Sequence, residues 1–300
     1  MELKNKKILL TGGTGLVGTP LVELLLKAGA EVTCFTRKSR TADHPKLRYI
    51  HSDLRQLPQL GSERPVIEPV DYIIYIAANI PQLHETKETI FTAKENTLDP
   101  FLSFLEYYGH LAPKIIFTST IDIYGYPDAL NFSEDTPINP PTPYALAKYA
   151  CEEYLRYYAK TEQKKYVILR FSQVYGPNEP FVRVIPFIID AALHNKPFTM
   201  WGNPRNRRKF LYARDAARAV LSAVAYNKDG IFHIAGSQEI AIEEVVSTVE
   251  KITGKKIEVS HKNAENEQVH IIPSTKKAET ELGFEPQTSF PDGMKEILKP

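Results

Sequence analysis

The sequence predicts a doubly wound α/β fold: a parallel sheet covered by helices on both faces, followed by a smaller mixed α/β lobe. Three observations carry that reading. Short, continuously apolar runs alternate with longer amphipathic segments over the first two-thirds of the chain, as for strands buried on both faces and their crossover helices. A glycine-rich turn follows the first apolar run and opens the first amphipathic segment. After Gly176-Pro177 the alternation loses its regularity.

In order, the expected strands are Lys7 to Leu10, Glu31 to Phe35, Leu47 to Ile50, Asp71 to Ile76, Lys114 to Phe117 and Tyr166 to Leu169, with helices starting near Gly15, Thr86 and Tyr144. Beyond Gly176, β-like pieces at Phe198 to Trp201, Ile231 to Ile234 and Lys256 to Val259 mix with helices near 181–194, 214–226 and 241–253. We read these as a smaller lobe. The expected division is a dinucleotide-binding domain over 1–176 and a substrate lobe over 177–300, with a return of some segments to the sheet allowed. Pro137 to Pro143 reads as a rigid loop leading into a helix.

Composition narrows the functions. The 37 basic and 36 acidic residues nearly cancel, so no overall field draws in nucleic acid or an anionic membrane. Cys34 and Cys151 are the two cysteines, without a CxxC pair or a His cluster at metal-ligand spacing, so neither a disulfide framework nor a metal site is expected. Ile8 to Leu10 is too short for a signal core, and no later apolar run reaches membrane-spanning length. A cytoplasmic protein, neither secreted nor membrane-spanning, is the expectation, and Asn131-Phe132-Ser133 is a chance match to a glycosylation acceptor.

Thr11-Gly12-Gly13-Thr14-Gly15-Leu16-Val17-Gly18 sets Gly12, Gly15 and Gly18 at GxxGxxG spacing. Such a turn must bend sharply, admit a pyrophosphate to its backbone and pack its helix closely on the strand, which side chains would prevent. The helix N-terminus then offers amides and partial positive charge to phosphate. The alternative is a purely structural turn. At the end of the second strand stand Thr36, Arg37 and Lys38, two cations where an acidic residue would hold ribose hydroxyls. They favour NADP(H), with NAD(H) left open; solvated basic residues are the alternative.

Tyr144-Ala145-Leu146-Ala147-Lys148 places a phenol and an ammonium on one helix face. The cation favours phenolate, suiting the tyrosine to general acid/base work. Upstream, Thr118-Ser119-Thr120-Ile121-Asp122-Ile123-Tyr124-Gly125 leaves the fifth strand at its C-terminal end, where such sheets build their sites. On these motifs the chain resembles the extended short-chain dehydrogenase/reductase family, a Rossmann-like fold, and within it the nucleotide-sugar epimerases and dehydratases. The resemblance covers nearly the whole sequence.

It implies a triad of Thr120, Tyr144 and Lys148, with Ser119 as a neighbour sharing the hydroxyl role. Tyr144 is the implied acid/base, Thr120 polarises the substrate oxygen, and Lys148 holds ribose and tunes Tyr144. Thr14, Leu16 and Val17 line the cofactor turn; Asp53-Leu54 resembles the adenine contact, Ala77-Ala78 the cofactor-lining turn, and Asn96 a family asparagine. Asp53 as a turn cap and Asn96 as a surface residue are the alternatives. The family also implies a homodimer through helices near 86–108 and 143–161, whose apolar faces could equally pack inward.

On the substrate side, Leu169 to Pro177 resembles the segment leading into the lobe, with Gln173 where an asparagine is usual. Trp201-Gly202-Asn203 and Arg207 to Asp215 resemble the stretch whose arginine grips the nucleotide diphosphate, a role placed on Arg208; a solvated basic loop is the alternative. No arginine follows Arg218, so a second phosphate-binding arginine found in relatives is missing.

The reaction implied is an epimerisation at a sugar carbinol, C4 in the usual case, with an NADPH-dependent 4-ketosugar reductase as the second reading. Dehydratases of this type carry an Asp-Glu pair after the catalytic threonine; here Ile121 cannot donate a proton, so dehydration is disfavoured, though Asp122, an implied substrate contact, leaves it open. A non-catalytic dinucleotide sensor is a third reading, but such proteins commonly lose the Tyr or Lys present here.

Overall fold

The computed structural model describes residues 2–79, 89–127, 130–180, 183–262 and 270–299. The chain opens with β1 (Lys7–Thr11), α1 (Gly18–Lys27), β2 (Glu31–Thr36), β3 (Leu47–His51) and β4 (Tyr72–Tyr75). It continues with α2 (Ile90–Ala93), a π-turn over Lys94–Leu98, α3 (Asp99–Tyr108), β5 (Lys114–Thr120), α4 (Pro143–Thr161), β6 (Lys165–Phe171) and β7 (Val174–Tyr175). Then come α5 (Val184–His194), β8 (Phe198–Trp201), β9 (Arg207–Arg208), β10 (Leu211–Tyr212), α6 (Ala213–Ala225) and β11 (Gly230–Ile234). The last described elements include β12 (Ile240–Ala241), α7 (Ile242–Thr253), β13 (Val259–Lys262) and α8 (Phe290–Leu298).

Seven strands form one sheet in the order β3-β2-β1-β4-β5-β6-β11, every pairing parallel. All seven residues of β5 are buried, as a central strand covered on both faces requires. On one face Ile8, Leu10, Ile74, Ile116 and Leu169 pack against α1 and α6. On the other, Leu9, Ile73, Phe117 and Ile168 pack against Phe101, Phe104, Cys151 and Leu155 of α3 and α4. Each buried Leu or Ile contributes roughly 1.5–3 kcal/mol, so the sheet is a rigid base for whatever leaves its C-terminal edge. A separate apolar cluster joins α5, β8, α7 and α8, including Ile185, Ile188, Val245, Val249 and Met294.

Several expectations need correction. The strand at 230–234 and the helix at 213–225 do not belong to the smaller lobe: β11 adds to the sheet beside β6, and α6 packs on α1 and on the sheet. Buried Lys114, at the start of β5, secures α6 by donating to its C-terminal carbonyls at Ala223 (2.6 Å) and Val224 (3.1 Å), and to Tyr226. That long-range contact leaves no local pattern. The strand expected at Lys256 to Val259 lies at Val259–Lys262, in parallel register with β8. The first helix begins at Gly18, three residues after Gly15, whose N–H closes a turn on Gly12 O at 3.0 Å and whose carbonyl accepts from Thr19 N–H at 3.0 Å. Thr86 lies outside the described residues; the described helix there starts at Ile90, capped by Thr89.

Candidate active site

Because the sheet is parallel, Thr11, Thr36, Tyr75, Thr120 and Phe171 all end on one edge, and the predicted site residues gather along it. At β1, Gly12 has φ +73°, and a Cβ there would sit 2.8 Å from Ala77 N. A Cβ on Gly18 would collide with the Gly12 carbonyl. Ala77 is tied in as well, its N–H donating to Thr11 Oγ1 at 3.2 Å; Ala78 beside it is exposed. Gly13 was not singled out from sequence, yet a Cβ there would press on Cys34 Sγ at 2.5 Å.

Gly15 differs from these. It is exposed, has no positive φ, and a Cβ would meet only Gly12 O, at 3.3 Å. The chain itself constrains this position less than the other glycines of the turn, and its bare backbone leaves room for a ligand to approach. The turn therefore fits a dinucleotide pyrophosphate, with Thr14, Leu16 and Val17 between the glycines and the start of α1 behind them.

Arg37 and Lys38 follow β2 and are exposed. Asp53 caps the next turn, accepting from Arg55 N–H at 3.0 Å and from the Arg55 guanidinium at 2.6 Å, which holds its carboxyl below the usual range. Arg55 also donates to Asn96 Oδ1 at 3.3 Å, so Asp53 and Asn96 are brought together through a residue that sequence reasoning passed over. Leu54 packs on the apolar cluster beneath.

The catalytic candidates come from β5 and α4. Thr142 caps α4 by accepting from Ala145 N–H at 3.2 Å, and Pro143 pre-sets its first turn. Tyr144 and Lys148 then lie one turn apart, both buried. Lys148 Nζ donates to Thr118 O at 2.6 Å and lies 4.4 Å from the Phe117 ring. Burial pushes its pKa down to about 8, opposed by Cys151 and Glu152 on the same helix. Thr120 Oγ1 accepts from Asp122 N–H at 3.1 Å, which leaves its own proton to be donated onward. Ser119, buried and on the opposite face of the strand, has no hydrogen-bond partner for its hydroxyl among the described residues.

Opposite lies the lobe. Arg208 on β9 is mostly out of water; burial lowers its pKa, against the pull of Tyr126 and Asp122. Arg183 Nη2 reaches Asp122 Oδ2 at 3.8 Å, so two guanidiniums converge on the carboxylate that follows Thr120. Sequence reasoning missed Arg183, which stands just ahead of α5 with no motif around it. It also missed Glu179, whose carboxylate oxygens are buried without a hydrogen bond among the described residues; burial pushes that carboxyl up to about 8, opposed by the Arg183 charge. Gln173 is partly buried, its carbonyl accepting from Leu211 N–H at 2.9 Å.

Residues 8–235 match the model of the NAD dependent epimerase/dehydratase family. The chain belongs to that family. Its sequence is 30% identical to a putative UDP-glucose 4-epimerase of Methanocaldococcus jannaschii, over 97% of each chain. It is 26% identical to the dTDP-4-dehydro-6-deoxyglucose reductase of Escherichia coli, covering 100% of this chain and 98% of that one. The fold matches the crystal structure of UDP-glucuronic acid 4-epimerase from Bacillus cereus, in complex with UDP-glucuronic acid and NAD, at a TM-score of 0.84, 26% identity and 97% coverage of both chains. As a member of this epimerase/dehydratase family the protein is an enzyme. Among the described residues no helix is long and apolar enough to cross a membrane, and no group of three or more His, Cys, Asp or Glu is placed to hold a metal.

Proposed function

We propose that this enzyme is a nucleotide-sugar epimerase acting at a sugar carbinol, with C4 as the reacting carbon. The observation that carries the reading is Tyr144, Lys148 and Thr120 at the C-terminal edge of β5, beside a glycine turn that fits a dinucleotide. Gly12, Thr14, Gly15, Leu16, Val17, Gly18, Asp53, Leu54, Ala77, Ala78 and Asn96 are its proposed cofactor contacts. When bound, the nicotinamide cofactor supplies the acceptor and donor of hydride.

The chain's own groups handle the proton. Tyr144 takes it from the carbinol oxygen, and the Lys148 cation one turn away stabilises the negative charge that develops on the phenol. Thr120, its oxygen already accepting from Asp122 N–H, donates its proton toward the substrate oxygen. After the keto sugar turns its other face, Tyr144 returns the proton. Arg208 and Arg183 hold the diphosphate, while Asp122 and Gln173 contact the sugar side; Ser119, on the face of β5 away from Thr120, does not share its role.

Reduction of a 4-keto sugar is the second reading, favoured by Arg37 and Lys38, which suit a 2′-phosphate, and by the likeness to the Escherichia coli reductase. Dehydration is disfavoured because the buried Ile121 stands where a proton donor would be needed. The division at 176/177 into a dinucleotide domain and a substrate lobe belongs to the proposal, with α6 and β11 returning to the sheet. So does a homodimer through α3 and α4; α4 exposes Leu146, Tyr154 and Tyr157, the last at 70%. A cytoplasmic setting rests on the two buried, unpaired thiols.

The test is incubation of the purified enzyme with UDP- and dTDP-sugars and their 4-keto forms, with NAD, NADP or NADPH. Isomer without net cofactor consumption supports the epimerase, and stoichiometric NADPH oxidation the reductase. Absence of either, with no dinucleotide binding, overturns both.

A further inference from the structure

Thr120 and the Tyr144–Lys148 pair arrive on different elements, 24 residues apart in sequence, and something must set their separation. Arg170, on β6 and 3% exposed, touches both sides. Its Nε lies 3.1 and 3.2 Å from the two carboxylate oxygens of Glu152, and its Nη2 donates to Glu152 Oε2 at 2.7 Å. Glu152 is fully buried on α4, one turn beyond Lys148 and two beyond Tyr144. The other edge of the guanidinium donates to Tyr124 Oη and to Glu134 O. Tyr124 closes the turn Ile121–Tyr124, whose first bond is the one from Asp122 N–H to Thr120 Oγ1. The Tyr124 hydroxyl is held further by His233 Nε2 of β11 at 2.7 Å; burial pushes His233 down to about 3, so it adds no charge.

A buried ion pair is a poor way to gain stability, since apolar residues of similar volume do as well or better. What it supplies is direction: the planar guanidinium fixes two partners at one angle and distance. We infer that Arg170 is a positioning residue, clamping Glu152 on the catalytic helix and Tyr124 in the Thr120 turn so that Thr120 is held in register with Tyr144 and Lys148. The inference rests on the roles proposed above for those three residues.

The test compares Tyr124→Phe, Glu152→Gln and the double variant in the full chain. Each single change is expected to lower kcat about tenfold to hundredfold, as small misplacements do. KM should stay within about twofold, because neither residue touches substrate. The double variant should lose little more than the worse single, because both act through the same guanidinium. The groups around Lys148 are Thr118 O and Phe117 from β5, and Tyr144, Cys151 and Glu152 from its own helix. Glu152→Gln alone should therefore move the alkaline limb of kcat to lower pH.

Variants that melt earlier but keep wild-type kcat per folded molecule and an unchanged pH profile overturn the inference. If Glu152→Gln does not fold, Tyr124→Phe decides alone, by its split between kcat and KM and by its crystal structure. A change of about 0.5 Å or more in the Thr120 Oγ1 to Tyr144 Oη separation supports the clamp, and an unchanged separation overturns it. A wild-type enzyme inactive on every sugar sinks the functional reading, and the crystal comparison still decides this one.

Discussion

The two walls of the cleft are built differently. On the sheet side, Lys148 is fully buried and donates to Thr118 O at 2.6 Å, and Arg170 meets Glu152 at 2.7 Å. On the lobe side, Arg183 and Asp122 stand 3.8 Å apart, and the buried Glu179 carboxyl makes no hydrogen bond among the described residues. The first wall is preorganised, as proton transfer to a fixed atom demands. The second holds charges loosely, as suits groups that re-pair when an anionic ligand arrives. The contrast teaches that the groups proposed for proton transfer are tightly paired, while those proposed for the anionic substrate are not.

Five experiments break or sharpen that contrast. The largest effect is expected on the preorganised wall: Tyr144→Phe should lower turnover by about 10²–10⁴ while dinucleotide binding, followed by fluorescence, persists. Retained turnover would remove Tyr144 from the chemistry. Next comes the wild-type pH profile. Lys148 titrates at about 8, so its charge is complete below that pH and lost above it. Activity should fall as pH rises through about 8, and a flat profile to pH 10 would show that the cation is not needed.

On the loose wall, Arg208→Gln should weaken UDP or dTDP binding more than UMP or dTMP, by about tenfold to hundredfold for a lost charge-assisted bond worth roughly 1.5–3 kcal/mol. Arg183→Gln should act the same way and less strongly; calorimetry showing no diphosphate preference in the wild type would sink both roles. The smallest effect concerns Glu179. Its folded carboxyl holds a proton up to about pH 8 where the unfolded one loses it near the ordinary 4.5, so the fold loses stability as pH rises between these values. Glu179→Gln should raise Tm at pH 8 and leave it unchanged near pH 4, and a pH-independent shift would mean the carboxyl is not buried as described.

Much of the sheet was legible because buried parallel strands leave continuous apolar runs: the six expected strands all pair, five of them running further than expected and β4 falling one residue short at each end. The Gly12 and Gly18 requirements were visible in spacing, while Gly13 needed the Cys34 sulfur of the next strand to explain it. The return of β11 and α6 to the sheet was not visible, since Gly230–Ile234 is only one residue longer than Phe198–Trp201 and its place is set by its neighbour β6. Arg55, Arg170, Arg183 and Glu179 went unremarked because their importance lies in partners distant in sequence or in burial without any partner.

Local sequence therefore determined the elements with a short-range cause: apolar runs, a glycine turn, and a tyrosine and lysine one helical turn apart. Tertiary structure alone decided which charges meet. Ion pairing and desolvation depend on distance in space and exclusion of water, and neither is written in residue order.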